Sequence, residues 1–295
     1  MQEQSGSNQP LFYQILGPEV TRDRIPLYEL IESLREYLYI IDRSYLTLTG
    51  SKRLSKKERD KYKIVAYNFK PGSLHIDLAI ELYELVQQLF PFMLPVGATG
   101  LWSLAKQSYD FVKVLTELRS KGHEPVVKED NSVQSFIIGD NNHIIVNPTI
   151  SINADRIEES ISKIAGLIRP GAIDQLSLKD PEQSGISITE EEKILFNPET
   201  TISEDAETIV ANIYKLDVES RSGKLHIIEG MEPRDIAFQI IGDQPIGPYI
   251  DALKSDQTKI RVLREEALSL TGKQYLKRLL LTGLPGLTPE QGKLF

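Results

Sequence analysis

Residues 131–153 read NSVQSFIIGDNNHIIVNPTISIN. Phe136, Ile137 and Ile138 form a short apolar run, and Ile144, Ile145 and Val146 form a second. Between them lie Gly139, Asp140, Asn141 and Asn142, residues that accept tight turns and positive φ. Two apolar runs about such a turn predict a β-hairpin. Its isoleucines fall on both faces, and a lone two-stranded ribbon is marginal in water. Something must therefore cover both sides, either the chain's own domains or a second copy. Phe136, Ile137, Ile138, Ile144, Ile145 and Val146 are the candidate oligomer seam.

The chain reads differently on the two sides of this joint. Its 295 residues suffice for about two domains with sizeable cores. The net charge of −8 is unevenly spread. Residues 121–205 carry 7 Lys+Arg against 16 Asp+Glu, while the flanking parts are near neutral. An acidic middle argues against a nucleic-acid duplex running along it and suits a solvated connector. The sequence has no cysteine, which excludes disulfides and thiolate chemistry and fits a reducing cytoplasm. The opening MQEQSGSNQP lacks an apolar h-region, so no signal peptide is expected. The expected location is cytoplasmic.

Before the joint, Leu11–Leu16 reads as a strand closed by Gly17-Pro18. Pro26 opens a helix whose apolar stripe is Leu27, Leu30, Ile31, Leu34, Leu38, Ile41 and Tyr45, with Gly50 as its stop. The next segment is basic: Lys52, Arg53, Lys56, Lys57, Arg59, Lys61 and Lys63 form either a solvated loop or a phosphate-binding cluster. Val65, Tyr67 and Phe69 line one face of a strand, Pro71-Gly72 turns it, and Leu74, Ile76, Leu78 and Ile80 line the return. His75 and Asp77 share the opposite face; with no nucleophile in view they read as a wet strand face before a general-base pair.

Leu85–Ala105 carries no charge and is long enough to cross a bilayer. Pro91, Pro95, Gly97 and Gly100 interrupt it, so a buried helix, a turn and a new helix fit better. If the segment met a membrane, Leu89, Phe90, Phe92, Met93, Leu94, Leu101 and Trp102 would be its contacts. The second helix carries Leu101, Leu104, Ala105, Ser108, Phe111, Val112, Leu115 and Leu118 at helical spacing.

After the joint, Asn153 or Asp155 is positioned to cap a helix with the stripe Ile157, Ile161, Ile164, Ala165 and Ile168. Thr189 and Glu192 have capping-box spacing ahead of Ile194, Leu195 and Phe196. From 206 onward the order is three strands, a short helix from Pro245 and two further strands. The order β-β-β-α-β-β resembles an OB-type small barrel. Arg261, Arg264, Lys277 and Arg278 are its candidate nucleic-acid contacts, joined by the basic loop.

The expected fold class is α+β. An N-terminal α+β layer domain spans 11–120, an acidic hairpin-plus-helix connector 121–205 and a small β-barrel 206–284, with loose tails at 1–10 and 285–295. No P-loop, dinucleotide fingerprint, nucleophile elbow or HExxH occurs, and the histidines are scattered singles. The sequence thus offers no catalytic, cofactor-binding or metal-ligating residues. LFYQILG, IPLYELIESL, NFKPGSLHIDLAI and, near the end, KIRVLREEALSLTGKQYLKRLLLTGL resemble a group of uncharacterised bacterial two-domain proteins. That resemblance implies an association with mobile elements or anti-phage gene clusters and no transferable activity. The first expectation is a non-catalytic bacterial interaction protein, an oligomeric scaffold or sensor, with itself and another protein as partners. A nucleic-acid- or nucleotide-binding module and a membrane-acting effector are the alternatives.

Overall fold

The computed structural model describes residues 7–21, 24, 26–70, 74–82, 97–197 and 200–285. The chain divides into two compact units, Met1–Asn197 and Pro198–Phe295. The class is mixed α+β, and a closed five-stranded barrel lies in the C-terminal unit.

In the first unit, β1 (Ser7–Leu16), α1 (Leu27–Thr49) and the one-turn α2 (Lys56–Arg59) lead to the hairpin β2 (Tyr62–Lys70) and β3 (Leu74–Leu82). The residues expected to turn that hairpin, 71–73, lie outside the described residues. Then follow α3 (Ala98–Ser120), β4 (Val126–Glu129), β5 (Phe136–Ile138), β6 (His143–Val146), α4 (Pro148–Leu167), β7 (Gln175–Lys179) and β8 (Gly185–Thr189). The main sheet has the order β2-β3-β1-β7-β8 and is antiparallel throughout. Leu11, Tyr13 and Ile15 of β1 align with Leu176 and Leu178 of β7 and Ile186 and Ile188 of β8 to make one fully buried face. The helices α1, α3 and α4 pack against one another, and α3 lies on β1, β3 and β8. Tyr13 ties α1 to the sheet through a 2.6 Å hydroxyl contact with Ser33 and an edge-on ring contact with Tyr37.

The acidic middle is therefore laid out differently from a solvated connector. It supplies α4 to the helical layer and β7 and β8 to the sheet, and the unit continues to Asn197. The strands β7 and β8 are short and pair with each other, and the strand that joins them to the sheet, β1, lies some 160 residues from β7 in sequence, so local pattern did not reveal them.

Helix α1 has the expected span, and Gly50 ends it in the left-handed conformation with φ 64°. Ile41 and Tyr45 of the expected stripe are buried, but the first turns face elsewhere. Ser33, Glu36, Tyr37, Ile40 and Ser44 are buried, whereas Leu27, Tyr28 and Ile31 are exposed. The buried serines are tolerated because each hydroxyl donates to its own helix, Ser33 to the Glu29 carbonyl and Ser44 to that of Ile40. Helix α4 starts earlier than expected. Asn147 caps it by accepting from the Thr149 N–H at 2.9 Å, with Pro148 in the first turn. Asn153 is instead a buried residue inside the helix. The Thr189–Glu192 capping-box bonds form, but they precede a single 3-10 turn, Lys193–Phe196.

The second unit contains β9 (Thr200–Ile202), β10 (Glu207–Asp217), β11 (Ser222–Glu229), β12 (Asp235–Ile240), α5 (Gly247–Ala252), β13 (Thr258–Leu268) and β14 (Gln274–Gly283). The sheet order β10-β11-β12-β14-β13 closes through β10–β13, with β12 parallel to β14 and β9 added outside on β13. Ile209, Ile213, Leu225, Ile227, Phe238, Ile260, Val262 and Leu279 fill the interior, and Tyr249 of α5 joins them. Gly223 is required where β11 crosses β10. A Cβ there would stand 2.0 Å from the Lys215 carbonyl oxygen and 2.7 Å from the Phe238 ring.

Candidate functional site

The stretch 131–153 forms a second, three-stranded sheet of order β4-β6-β5. Strands β5 and β6 make the expected antiparallel hairpin, Phe136 opposite Val146 and Ile138 opposite Ile144. Asp140–Asn142 turn it as a 3-10 segment, with Asn142 at φ 62°. Strand β4, within a stretch that reads as a polar linker, adds in parallel to β6 and pairs Val126 with His143. Its sequence signal was the Val126-Val127 pair after Pro125, too short to outweigh the surrounding charge.

Residues paired across strands share a face. Phe136, Ile138, Ile144 and Val146 lie on one face; Ile137, Ile145, Val126 and His143 lie on the other. Ile144 and Val146 are fully buried, and the Phe136 ring sits 5.7 Å from the Phe111 ring of α3. The chain's own α3 therefore meets one face. The other remains largely open: Ile137 is 54% exposed and Val126 52%, with His143 exposed between them. Ile138, at the rim of the covered face, is also 54% exposed. Asn147 holds the small sheet to the helical layer: its side-chain amide donates to the Val133 carbonyl at 2.7 Å while its oxygen caps α4.

The candidate cationic contacts fall in both units, the basic loop in the first and Arg261, Arg264, Lys277 and Arg278 in the second. Lys52, Arg53, Lys56 and Lys57 are exposed around α2, whose Ser55–Glu58 capping box fixes the turn. Arg59 points back to the buried Asp42, which also accepts from the Tyr62 hydroxyl. Lys61 and Lys63 also have partners. In the barrel, Arg264 pairs with Glu207 at 2.6 Å, and Lys277 and Arg278 both pair with the buried Glu265. Arg261 is exposed. Burial pushes the Glu265 carboxyl up, but the hydrogen bonds from Arg278 and Lys277 outweigh it and leave the group below its ordinary range. A cleft of about 470 Å³ opens between the β11–β12 turn and the β13–β14 hairpin, lined among others by Met231, Arg234, Arg264 and Tyr275.

Leu89, Phe90, Phe92, Met93 and Leu94 lie outside the described residues. Leu101 and Trp102 belong to α3, where they are buried, and the Trp102 indole donates to Asp180 at 3.2 Å. No helix among the described residues is long and apolar enough to cross a membrane. Asp77 of the expected His75–Asp77 pair is 7% exposed on a strand buried on both faces, so its surroundings are not the wet face expected. Among the described residues no group of three or more His, Asp or Glu is placed to hold a metal ion. Burial pushes the phenols of Tyr13, Tyr37, Tyr62 and Tyr109 above their ordinary value, so they stay protonated at neutral pH.

Compared with known proteins, the chain matches no family model, no curated protein and no solved structure.

Proposed function

We propose that this chain is a non-catalytic interaction protein, a scaffold or sensor that self-associates through its small three-stranded sheet. The observation that carries the reading is the exposure of Ile137 and Ile138 on opposite faces of β5, which contains no charged residue. Exposed apolar edge strands pair with other chains unless something blunts them. The partners are a second copy and, through the assembly, another protein, in a bacterial cytoplasmic setting that includes antiviral defence. Light scattering over a hundredfold range of concentration tests it. A mass above that of one chain supports the reading, and a single-chain mass throughout removes it.

A second reading treats the barrel as an OB-type module that takes a nucleotide or a single strand. It is supported by the element order and by the cleft that sets Arg234 and the 44%-exposed Tyr275 near each other. The pairing of Arg264, Lys277 and Arg278 with carboxylates weighs against a strongly basic groove. Anisotropy of a labelled oligonucleotide at low salt decides it, since phosphate contacts are strongest there.

A further inference from the structure

We infer that two copies of this chain join through their β5 edges, antiparallel across a two-fold axis at Ile137, into one six-stranded sheet. The inference rests on the self-association proposed above and specifies its geometry.

The main-chain bonding of β5 defines which groups are free to pair. The Asn147 N–H donates to the Ser135 carbonyl at 2.9 Å, and the Gly139 N–H donates to the His143 carbonyl at 2.7 Å. Ile137 pairs with Ile145 between them. Antiparallel bonding alternates along a strand. Ser135, Ile137 and Gly139 therefore face β6, and Phe136 and Ile138 turn their N–H and C=O groups to the opposite side. Among the described residues β6 is the single strand paired with β5, so that side is an open edge.

A strand that meets its own copy antiparallel with Ile137 on the axis places Phe136 opposite Ile138 in both directions. Those are the residues whose main-chain groups are free, so both pairs bond reciprocally. Ile137 faces Ile137 in the closer, non-bonded position. Beyond them Ser135 meets Gly139 and Gln134 meets Asp140, and no like charges oppose one another. The other outer strand is built differently. Strand β4 carries Lys128 and Glu129 and follows Glu124 and Pro125, residues of the kind that keep an edge from pairing. One open edge and one guarded edge give a closed pair of chains, where two open edges would give a filament. A three-residue contact is small beside the roughly 1,600 Å² of a standard interface, so the pair forms reversibly with concentration.

The test uses the full chain, which has no native cysteine. Non-bonded antiparallel partners lie about 4.5 Å apart at Cα, within disulfide range. Ile137→Cys treated with diamide is expected to give a covalent pair of chains, and Val126→Cys, equally exposed on β4, is not. Ile137→Lys sets two cations against each other on the axis and is expected to weaken association at least ~10-fold. Val126→Lys is expected to leave it unchanged. Association that ignores Ile137→Lys, with no crosslink at position 137, overturns the edge pairing and leaves self-association standing. A mass that climbs steadily and is capped by Val126→Lys means β5-to-β4 stacking and also overturns it. A single-chain mass at every concentration removes the inference and the proposal beneath it together.

Discussion

Asn153 of α4 donates its side-chain amide to the Ser44 hydroxyl of α1 across 2.9 Å, inside a fully buried contact. The same amide reaches Ser108 of α3 at 2.9 Å, and the Asn153 oxygen accepts from Thr47 at 3.0 Å. One side chain thus registers three helices. Replacing Asn153 with Ala removes these bonds and leaves a small void. The expected loss is about 2–3 kcal/mol, read as a lower denaturation midpoint with an unchanged slope. Asn153→Asp would bury a charge among hydroxyls and is expected to cost more.

The orientation of α1 reverses what the apolar stripe predicts for two isoleucines, Ile31 on the stripe and Ile40 off it. Ile40 is fully buried and Ile31 is 53% exposed. Ile40→Ala is expected to cost about 2–5 kcal/mol. Ile31→Lys is expected to change stability by less than about 0.5 kcal/mol. Urea unfolding of the two variants checks the assignment. A larger loss for Ile31→Lys than for Ile40→Ala would mean the helix buries the stripe that its sequence advertises.

Acid sensitivity of the barrel follows from Glu265. Its carboxyl is held below its ordinary range when folded, so it contributes stability above the unfolded value near ~4.3. That contribution disappears as pH falls through the folded value. Glu265→Gln is therefore expected to unfold more easily than the parent at pH 7, and the gap should close at acidic pH. Thermal melts of both proteins from pH 7 downward, followed by barrel circular dichroism, give the comparison. A gap independent of pH would mean that packing, not charge, sets the role of Glu265.

Gly223 leaves no room for a methyl group against the Lys215 carbonyl and the Phe238 ring. Gly223→Ala must push the β10–β11 crossing apart and is expected to cost at least ~1–3 kcal/mol. Gly247→Ala, where a Cβ meets nothing within 4 Å, is the matched control. Comparable unfolding midpoints for the two would contradict the close crossing.

The barrel strands were legible because β10, β11 and β12, and again β13 and β14, follow one another as antiparallel neighbours, and because apolar residues alternate in stretches such as Ile236, Phe238 and Ile240 of β12. The β5–β6 hairpin was legible from its turn residues for the same reason. The face of α1 was not, because hydroxyls bonded to their own helix can enter a core that an apolar-stripe reading reserves for leucine. Nor was β7, whose Leu176-Ser177-Leu178 gains meaning only beside Tyr13 and Ile15. At the candidate interface, sequence named the six apolar residues but could not divide them. Ile144 and Val146 pack inward, and Ile137 and Ile138 are left outside, because the division depends on where α3 lies.

Strand β1 sits at the centre of its sheet, yet one of its two neighbours, β7, is not made until residue 179. At a synthesis rate of about 5–20 residues per second, the ribosome exposes β1 on the order of ten to thirty seconds before that partner exists. During this interval Leu11, Tyr13 and Ile15 have α1, α3 and the β2–β3 hairpin to pack on, but the edge of β1 that β7 will take has no strand on it. Closure of the sheet on that edge is therefore a late step of synthesis, made only once β7 has followed β1.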